Sequence, residues 1–230
     1  MHILVGAQLF RGLDSPQLIE VAAEAKRVTK EPEQYFFRQG DQARRLFVAL
    51  RGRVKVVQIT PQGHQIVMRY VGAGEMFGSV PLYAGREYLS AGQAVTSAEA
   101  LSWSGAAMDR LMSRWPVIAR NAVELLAEEL LDIRTRYQEL ATERVERRVA
   151  RALSRLVRQA GRKVEGGVLI DFPVSRQDLG EITGTTLHTV SRILSSWEQR
   201  GIVSSGRRRI LIRRPHELIS IAEDLYHKGS

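Results

Sequence analysis

The spacing of hydrophobic positions changes twice along the chain. Over residues 9–29, Leu9, Phe10, Leu13, Leu18, Ile19, Val21 and Ala22 predict a short helical start. From 34 to 103 the pattern shortens to β-type runs: Tyr35-Phe36-Phe37, Leu46 to Leu50, Val54 to Ile59 and Gln65 to Tyr70. Gly40, Gly52, Pro61-Gln62-Gly63 and Gly72-Ala73-Gly74 punctuate them, and Thr60–Gly63 between two runs reads as a hairpin turn. Short strands at this spacing predict an antiparallel sandwich, barrel or jelly roll. After Pro116 the pattern becomes helical. Ala119, Val123, Leu126, Leu130, Ile133, Tyr137 and Leu140 alternate at spacings of 4 and 3, with no Gly or Pro between 117 and 160. Leu125, Ala127 and Leu131 add a second apolar flank. Such a helix can pack on its own domain and on a partner helix at once; an ordinary buried helix is the simpler alternative.

The helical pattern continues through Val149, Ala152, Leu153, Leu156 and Val157 to Gly161, with a bend expected around Leu140–Thr142. A loop ending at Gly166-Gly167 precedes a strand over Val168–Phe172, and Pro173 starts the next unit. Ser175 and Asp178 have the spacing of a capping box. Leu179 and Ile182 give that helix an apolar face, and Gly184 permits a tight turn. Thr186 caps a second helix, about 187–199, whose buried stripe is Val190, Ile193, Leu194 and Trp197. Leu187, His188, Ser191 and Arg192 lie on its other side. Two short helices joined by a glycine turn, the second with an exposed polar face, read as a helix-turn-helix. Ile202-Val203, a turn at Ser205-Gly206 and the run Arg207-Arg208-Arg209-Ile210-Leu211-Ile212 then form a hairpin wing with a basic edge. In this geometry the second helix enters the major groove. Arg192 donates two hydrogen bonds to guanine, and Arg207, Arg208 and Arg209 bind phosphates.

Charge supports that reading. The 230 residues carry a formal +9, and residues 141–230, with 17 basic and 10 acidic side chains, hold +7 of it. A basic excess favours polyanionic partners. The length suits two domains. With no cysteine, disulfides, iron–sulfur clusters and thiolate-ligated metals are excluded. No apolar run is long enough for a membrane span, and the N-terminus lacks a signal-peptide pattern, so a soluble, cytoplasmic protein without membrane contact is expected. The chain shows no nucleophile–base set, no phosphate loop and no clustered metal ligands, so no catalytic or metal residues are assigned and an enzyme is not expected.

Sandwich, long helix and winged helix-turn-helix in this order resemble the cyclic AMP receptor protein / fumarate-nitrate reductase regulator (CRP/FNR) family. The most specific segments are Gly74-Glu75-Met76-Phe77-Gly78, Ser175 to Gly180, and Thr189-Val190-Ser191-Arg192-Ile193-Leu194. The resemblance implies a homodimer on a two-fold symmetric DNA operator, in contact with RNA polymerase. It gives Arg192 and Ser191 base-reading roles, and Arg176, Thr186 and Thr189 phosphate contacts. The expected class is α+β. A jelly-roll, cyclic-nucleotide-binding-like sensor domain occupies 1–115, a dimerisation helix 116–141, and a winged helix-turn-helix 142–230. Regions 159–167 and 61–64 match surfaces the family uses against polymerase, which favours activation.

Two departures matter. His188 stands where the family usually has Glu, so the operator is expected to differ there. The cyclic AMP branch follows the glycine segment with an Arg-Ser pair that grips the cyclic phosphate. The aligned residues here are Leu89-Ser90, and Ser79 replaces a second Glu. Glu75 remains able to hold a ribose hydroxyl and Arg86 is a nearby substitute cation, but tight cyclic AMP binding is not expected. The candidate effector pocket is therefore Gly74–Gly78 with Leu89 and Ser90, for an unidentified effector. The recognition helix looks like regulators of nitrogen-oxide respiration, a branch associated with haem. His2 and His64 are the histidines of the sensor half, and His64 reads as an exposed loop residue rather than a haem ligand. The alternative function is a small-molecule sensor, for haem/nitric oxide or a nucleotide, whose DNA binding is secondary or lost.

Overall fold

The computed structural model describes residues 2–78 and 87–223; Ser79 and Arg86 lie outside them. Packing divides the chain into two compact units, 1–133 and 134–230.

In the first unit, α1 (His2–Val5) and a single 3-10 turn (Gln8–Phe10) precede α2 (Ser15–Ala23). The expected helix over 9–29 is thus only partly realised. Gly12, at φ +92°, breaks it, and Asp14 and Gln17 form a capping box that starts α2 late. Residues Lys26–Lys30 leave the helix as β1, pairing with β8 (Ala98–Ser104). The remaining strands are β2 (Tyr35–Phe37), β3 (Arg45–Arg51), β4 (Val54–Ile59), β5 (Gln65–Val71), β6 (Met76–Phe77) and β7 (Ala91–Ala94). They form two antiparallel four-stranded sheets, ordered β1-β8-β3-β6 and β2-β7-β4-β5. That is the expected jelly-roll arrangement, with the β4–β5 hairpin closing at Thr60–His64.

Between the sheets Phe37, Phe47, Phe77 and Tyr88 stack, with ring centroids 4.1 Å apart for Phe37 and Tyr88, and Phe36 meets Phe47 and Phe77 edge to face. Gly92 leaves room for them: a Cβ there would fall 2.8 Å from the Phe37 ring. A second cluster gathers Leu9, Phe10, Leu18, Trp103, Met108 of α3 (Gly105–Arg114) and Ile118 of α4 (Pro116–Thr142). The buried Asn121 side chain ties α4 to this unit, donating to the carbonyls of Leu9 and Arg11 at 3.1 and 2.8 Å.

In the second unit α5 (Val145–Ala160) follows a break at Glu143-Arg144, just beyond the expected bend. The expected loop over 159–167 is mostly a hairpin, because β9 (Gly161–Val164) pairs with β10 (Gly167–Ile170). Then come α6 (Arg176–Thr183), α7 (Leu187–Gln199), β11 (Val203–Gly206), β12 (Arg209–Ile212) and α8 (Pro215–Glu223). Strand order is β11-β12-β10-β9. The wing turn is at Arg207-Arg208, not Ser205-Gly206: Gly206 pairs with Arg209, and Arg208 takes the positive φ (+58°) the turn requires. Leu153, Leu179, Val190, Leu194, Trp197 and Ile202 are fully buried in this unit, while Ile193 and Ile182 are only half-buried.

Candidate nucleic-acid interface and sensor cleft

Local chemistry fixes the two helices of the interface. The Ser175 hydroxyl oxygen accepts from the Asp178 backbone N–H, and the Asp178 carboxylate accepts from the Ser175 N–H in return. Helix α6 ends on Gly184, at φ +62°. The Thr185 N–H closes the turn on the Gly180 carbonyl at 3.0 Å. Gly180 is required by this turn, since a Cβ there would sit 2.8 Å from the Thr185 carbonyl oxygen. Thr186 then caps α7 by accepting from the Thr189 N–H at 3.2 Å, and the two threonine hydroxyls are 3.1 Å apart. These two predicted phosphate contacts therefore share the positive end of a 13-residue helix.

Burial of Val190, Leu194 and Trp197 turns the opposite face of α7 outward. Leu187, His188 and Arg192 are exposed on it, and Ser191 is half-buried. Trp197 is pinned by its indole N–H to Glu146 at 2.8 Å. Arg207, Arg208 and Arg209 are exposed at the wing tip. The Arg208 carbonyl accepts from the Val174 N–H at 3.1 Å, which ties the tip to the approach to α6.

Arg176 is arranged differently from the other predicted phosphate ligands. It is half-buried and donates to the Ser205 hydroxyl at 3.0 Å. Ser205 in turn gives its N–H and its hydroxyl proton to one Glu198 oxygen, at 2.8 and 2.6 Å. The other Glu198 oxygen lies 3.8 Å from Arg176. Burial pushes the Glu198 carboxyl up, but the Ser205 donors and the Arg176 charge outweigh it and hold the group below its usual value. Sequence reasoning missed Glu198 and Ser205. Neither belongs to a periodic pattern, and only the pairing of helix end with wing strand brings them together.

In the first unit, Glu75 turns back on its own loop and accepts from the Gly72 N–H at 2.7 Å. Met76 and Phe77 are buried in the two core clusters, and Gly74 and Gly78 take positive φ. Beside this segment is a cleft of about 280 Å³ lined by Gln8, Arg69, Glu75, Met76, Leu125, Glu128, Glu129 and Asp132. Of the predicted pocket residues, the cleft takes in Glu75 and Met76. Leu89, which is exposed, and Ser90, which is half-buried, are not among its lining residues. Among the described residues Arg69 is the cation of that lining, and it faces Glu129 at 3.2 Å and donates to the Met76 carbonyl at 2.6 Å. Among the described residues this lining presents four carboxylates and a guanidinium paired with one of them. His64 is exposed on the β4–β5 turn, and among the described residues the cleft lining contains no imidazole. Among the described residues no group of three or more His, Cys, Asp or Glu is arranged to hold a metal ion.

The predicted seam lies along α4. Val123, Leu130, Ile133, Tyr137 and Leu140 are exposed, Ala119 and Leu126 are half-buried, and Leu131 is exposed on the flank. Among the described residues no helix is long and apolar enough to cross a membrane.

The cyclic nucleotide-binding domain family matches residues 27–114, and the Crp-like helix-turn-helix domain family matches 147–221. The chain is 29% identical to the cyclic AMP receptor protein of Thermus thermophilus over 94% of its own length and 97% of that protein. It is 25% identical to electron transport regulator A of Shewanella oneidensis, over 86% of this chain and 79% of that one. The structure of FixK2 from Bradyrhizobium japonicum has the same fold, with a TM-score of 0.75 and 24% identity over 86% of this chain and 96% of that chain. With an antiparallel nucleotide-binding-type roll, a long helix and a winged helix-turn-helix in one chain, the protein belongs to the CRP/FNR family of DNA-binding transcription regulators.

Proposed function

We propose that the protein acts as a homodimer, reads a two-fold symmetric operator, and is not controlled by cyclic AMP. The observation that carries the reading is the outward face of α7: Leu187, His188 and Arg192 exposed on a helix whose other face is buried, with an exposed arginine tip beside it. Arg192 reads a guanine, Leu187 meets a thymine methyl and Ser191 hydrogen-bonds a base edge. His188 lacks the carboxylate that accepts from a cytosine amino group, so it changes base preference at its position. Thr186, Thr189, Arg176 and the wing arginines contact phosphates. Two copies pair along the α4 seam and set their recognition helices one helical turn apart, about 34 Å. The β9–β10 hairpin and the β4–β5 turn are the surfaces offered to RNA polymerase for activation, and regulation is a population shift transmitted along α4. Helix-turn-helix regulators of this kind do not carry out catalysis, and we infer no enzyme activity.

Selection of bound DNA from a random pool tests the reading. The expected product is an inverted repeat with guanine at a fixed place in each half-site and a binding constant that falls steeply with salt. Recovery of DNA without an inverted repeat overturns it. The exposed acidic cleft favours a second reading, in which a small-molecule effector on the roll is the main activity. It prevails if no sequence is enriched.

A further inference from the structure

The wing and the recognition helix meet at one serine hydroxyl. Ser205, two residues before the Arg207-Arg208 turn, gives both of its donors to Glu198 near the end of α7 and accepts from Arg176 at the start of α6. The Val174 N–H to Arg208 carbonyl bond adds a clasp at the tip. Three elements that approach DNA are therefore locked by a carboxylate on the DNA-binding unit. A negative charge beside a polyanion site opposes binding unless it serves another purpose. The geometry supplies one, since the carboxylate accepts two bonds from the strand that carries the arginine tip.

We propose that Glu198 is a positioning residue for DNA binding: acting through Ser205, it sets the stance of Arg207, Arg208 and Arg209 relative to the guanine-reading Arg192, and itself touches no DNA. The proposal rests on the DNA-binding reading above. It also redefines Arg176, which directs one of its five donors inward and completes the same lock. A purely electrostatic view predicts the opposite sign, because deleting an acidic side chain near DNA should strengthen binding to any sequence.

The test uses the full-length protein and the operator recovered from the random pool. Binding is measured across a salt series for Glu198→Ala, Glu198→Gln and Ser205→Ala, with folding checked by thermal melting. Glu198→Ala is expected to weaken operator binding about tenfold and to flatten the salt slope by about one to two, since each lost phosphate contact removes about 0.9. Preference for the guanine read by Arg192 should be unchanged. Glu198→Gln, which keeps an acceptor for Ser205, should stay close to wild type. Ser205→Ala should move in the same direction as Glu198→Ala, and the double variant should be no weaker than Glu198→Ala alone. Glu198→Ala binding as tightly as wild type or tighter, with the slope unchanged, overturns the proposal. If Glu198→Ala does not fold, Ser205→Ala decides, and an unchanged slope in that variant overturns it too. Wild-type protein that enriches no operator defeats the DNA-binding reading itself, whereas normal wild-type binding with an unaltered Glu198→Ala slope defeats only this inference.

Discussion

Replacing Leu130 and Ile133 with Glu tests the α4 seam. In the single chain Leu130 is 66% and Ile133 is 44% exposed, so together they leave about one full side chain of apolar surface per protomer for a partner to cover. Burying one such side chain is worth about 1.5–3 kcal/mol, so the two protomers together gain about 3–7 kcal/mol from these positions. At 1.4 kcal/mol per decade, losing it weakens a dimer by about two to five orders of magnitude, before the cost of burying four new carboxylates. The wild type should sediment at twice its 25.9 kDa monomer mass at micromolar concentration, and the double variant at the monomer mass with an unchanged helical signal. Because these residues are exposed in the protomer, the variant should keep its thermal midpoint apart from any part that depends on concentration. A variant that remains dimeric would falsify the seam. A wild type that is monomeric at tens of micromolar would remove the basis for a symmetric operator.

Four further outcomes are expected. Arg192→Ala should cost about 1–3 kcal/mol at operator DNA and erase discrimination at the contacted guanine, measured by competition with a guanine-substituted duplex. If preference at that base survives, a different residue reads it. Gly180→Ala, which in an ordinary helix interior would add about 1 kcal/mol, should instead lower the urea midpoint, because its Cβ falls 2.8 Å from the Thr185 carbonyl oxygen; a stabilised variant contradicts that close approach. The Glu198 carboxyl is held below its usual 4.5, so on acidification the unfolded chain takes up this proton first. Its contribution is complete above about pH 4.5 and is lost as pH falls below that, so the stability gap between wild type and Glu198→Gln should close in acid; a gap independent of pH would show that the charge does not matter. Finally, titration calorimetry with cyclic AMP should give no micromolar binding, given the carboxylate-rich lining of the Glu75 cleft, and a micromolar constant would refute that argument.

Legibility from sequence followed the strength of local signals. The helix-turn-helix was readable almost residue by residue, because caps and turns are short-range chemistry: Ser175 with Asp178, the left-handed Gly184, and Thr186 with Thr189. The long helix α4 was readable because its apolar period persists along 27 residues. Strands β7 and β8 did not stand out, since Ala91-Gly92-Gln93-Ala94 and Ala98-Glu99-Ala100 have little strand propensity. They are strands because tertiary packing demands small residues there: Gly92 lies under the Phe37 ring and Ala100 is fully buried. β1 was lost for a related reason, as Lys26–Lys30 is a charged strand stabilised by pairing with β8. The wing turn was displaced by two residues because a glycine was expected at the positive-φ position, which Arg208 occupies. The Arg176–Ser205–Glu198 lock depends on side chains from three elements, and no spacing rule brings them together.

Within the second unit the end of α4 is linked physically to the helix-turn-helix. The buried Glu139, on the last turns of α4, holds Arg155 of α5 at 2.7 Å, and Glu143 holds Arg151 at 3.0 Å. Arg148 donates to the Thr183 carbonyl at 3.0 Å, so the end of α6 is tied to the same turn of α5. A Cβ added at Gly184 would lie 2.8 Å from Leu140 Cδ2, so the last seam residue is packed directly against the turn that precedes the recognition helix. Removing Arg155 would take this cation from the buried Glu139 carboxylate, a costly change that ties the end of α4 to α5. In the dimer proposed above, a change in how two α4 helices pack at Leu140 would bear on Gly184, two residues before the Thr186 cap of the recognition helix.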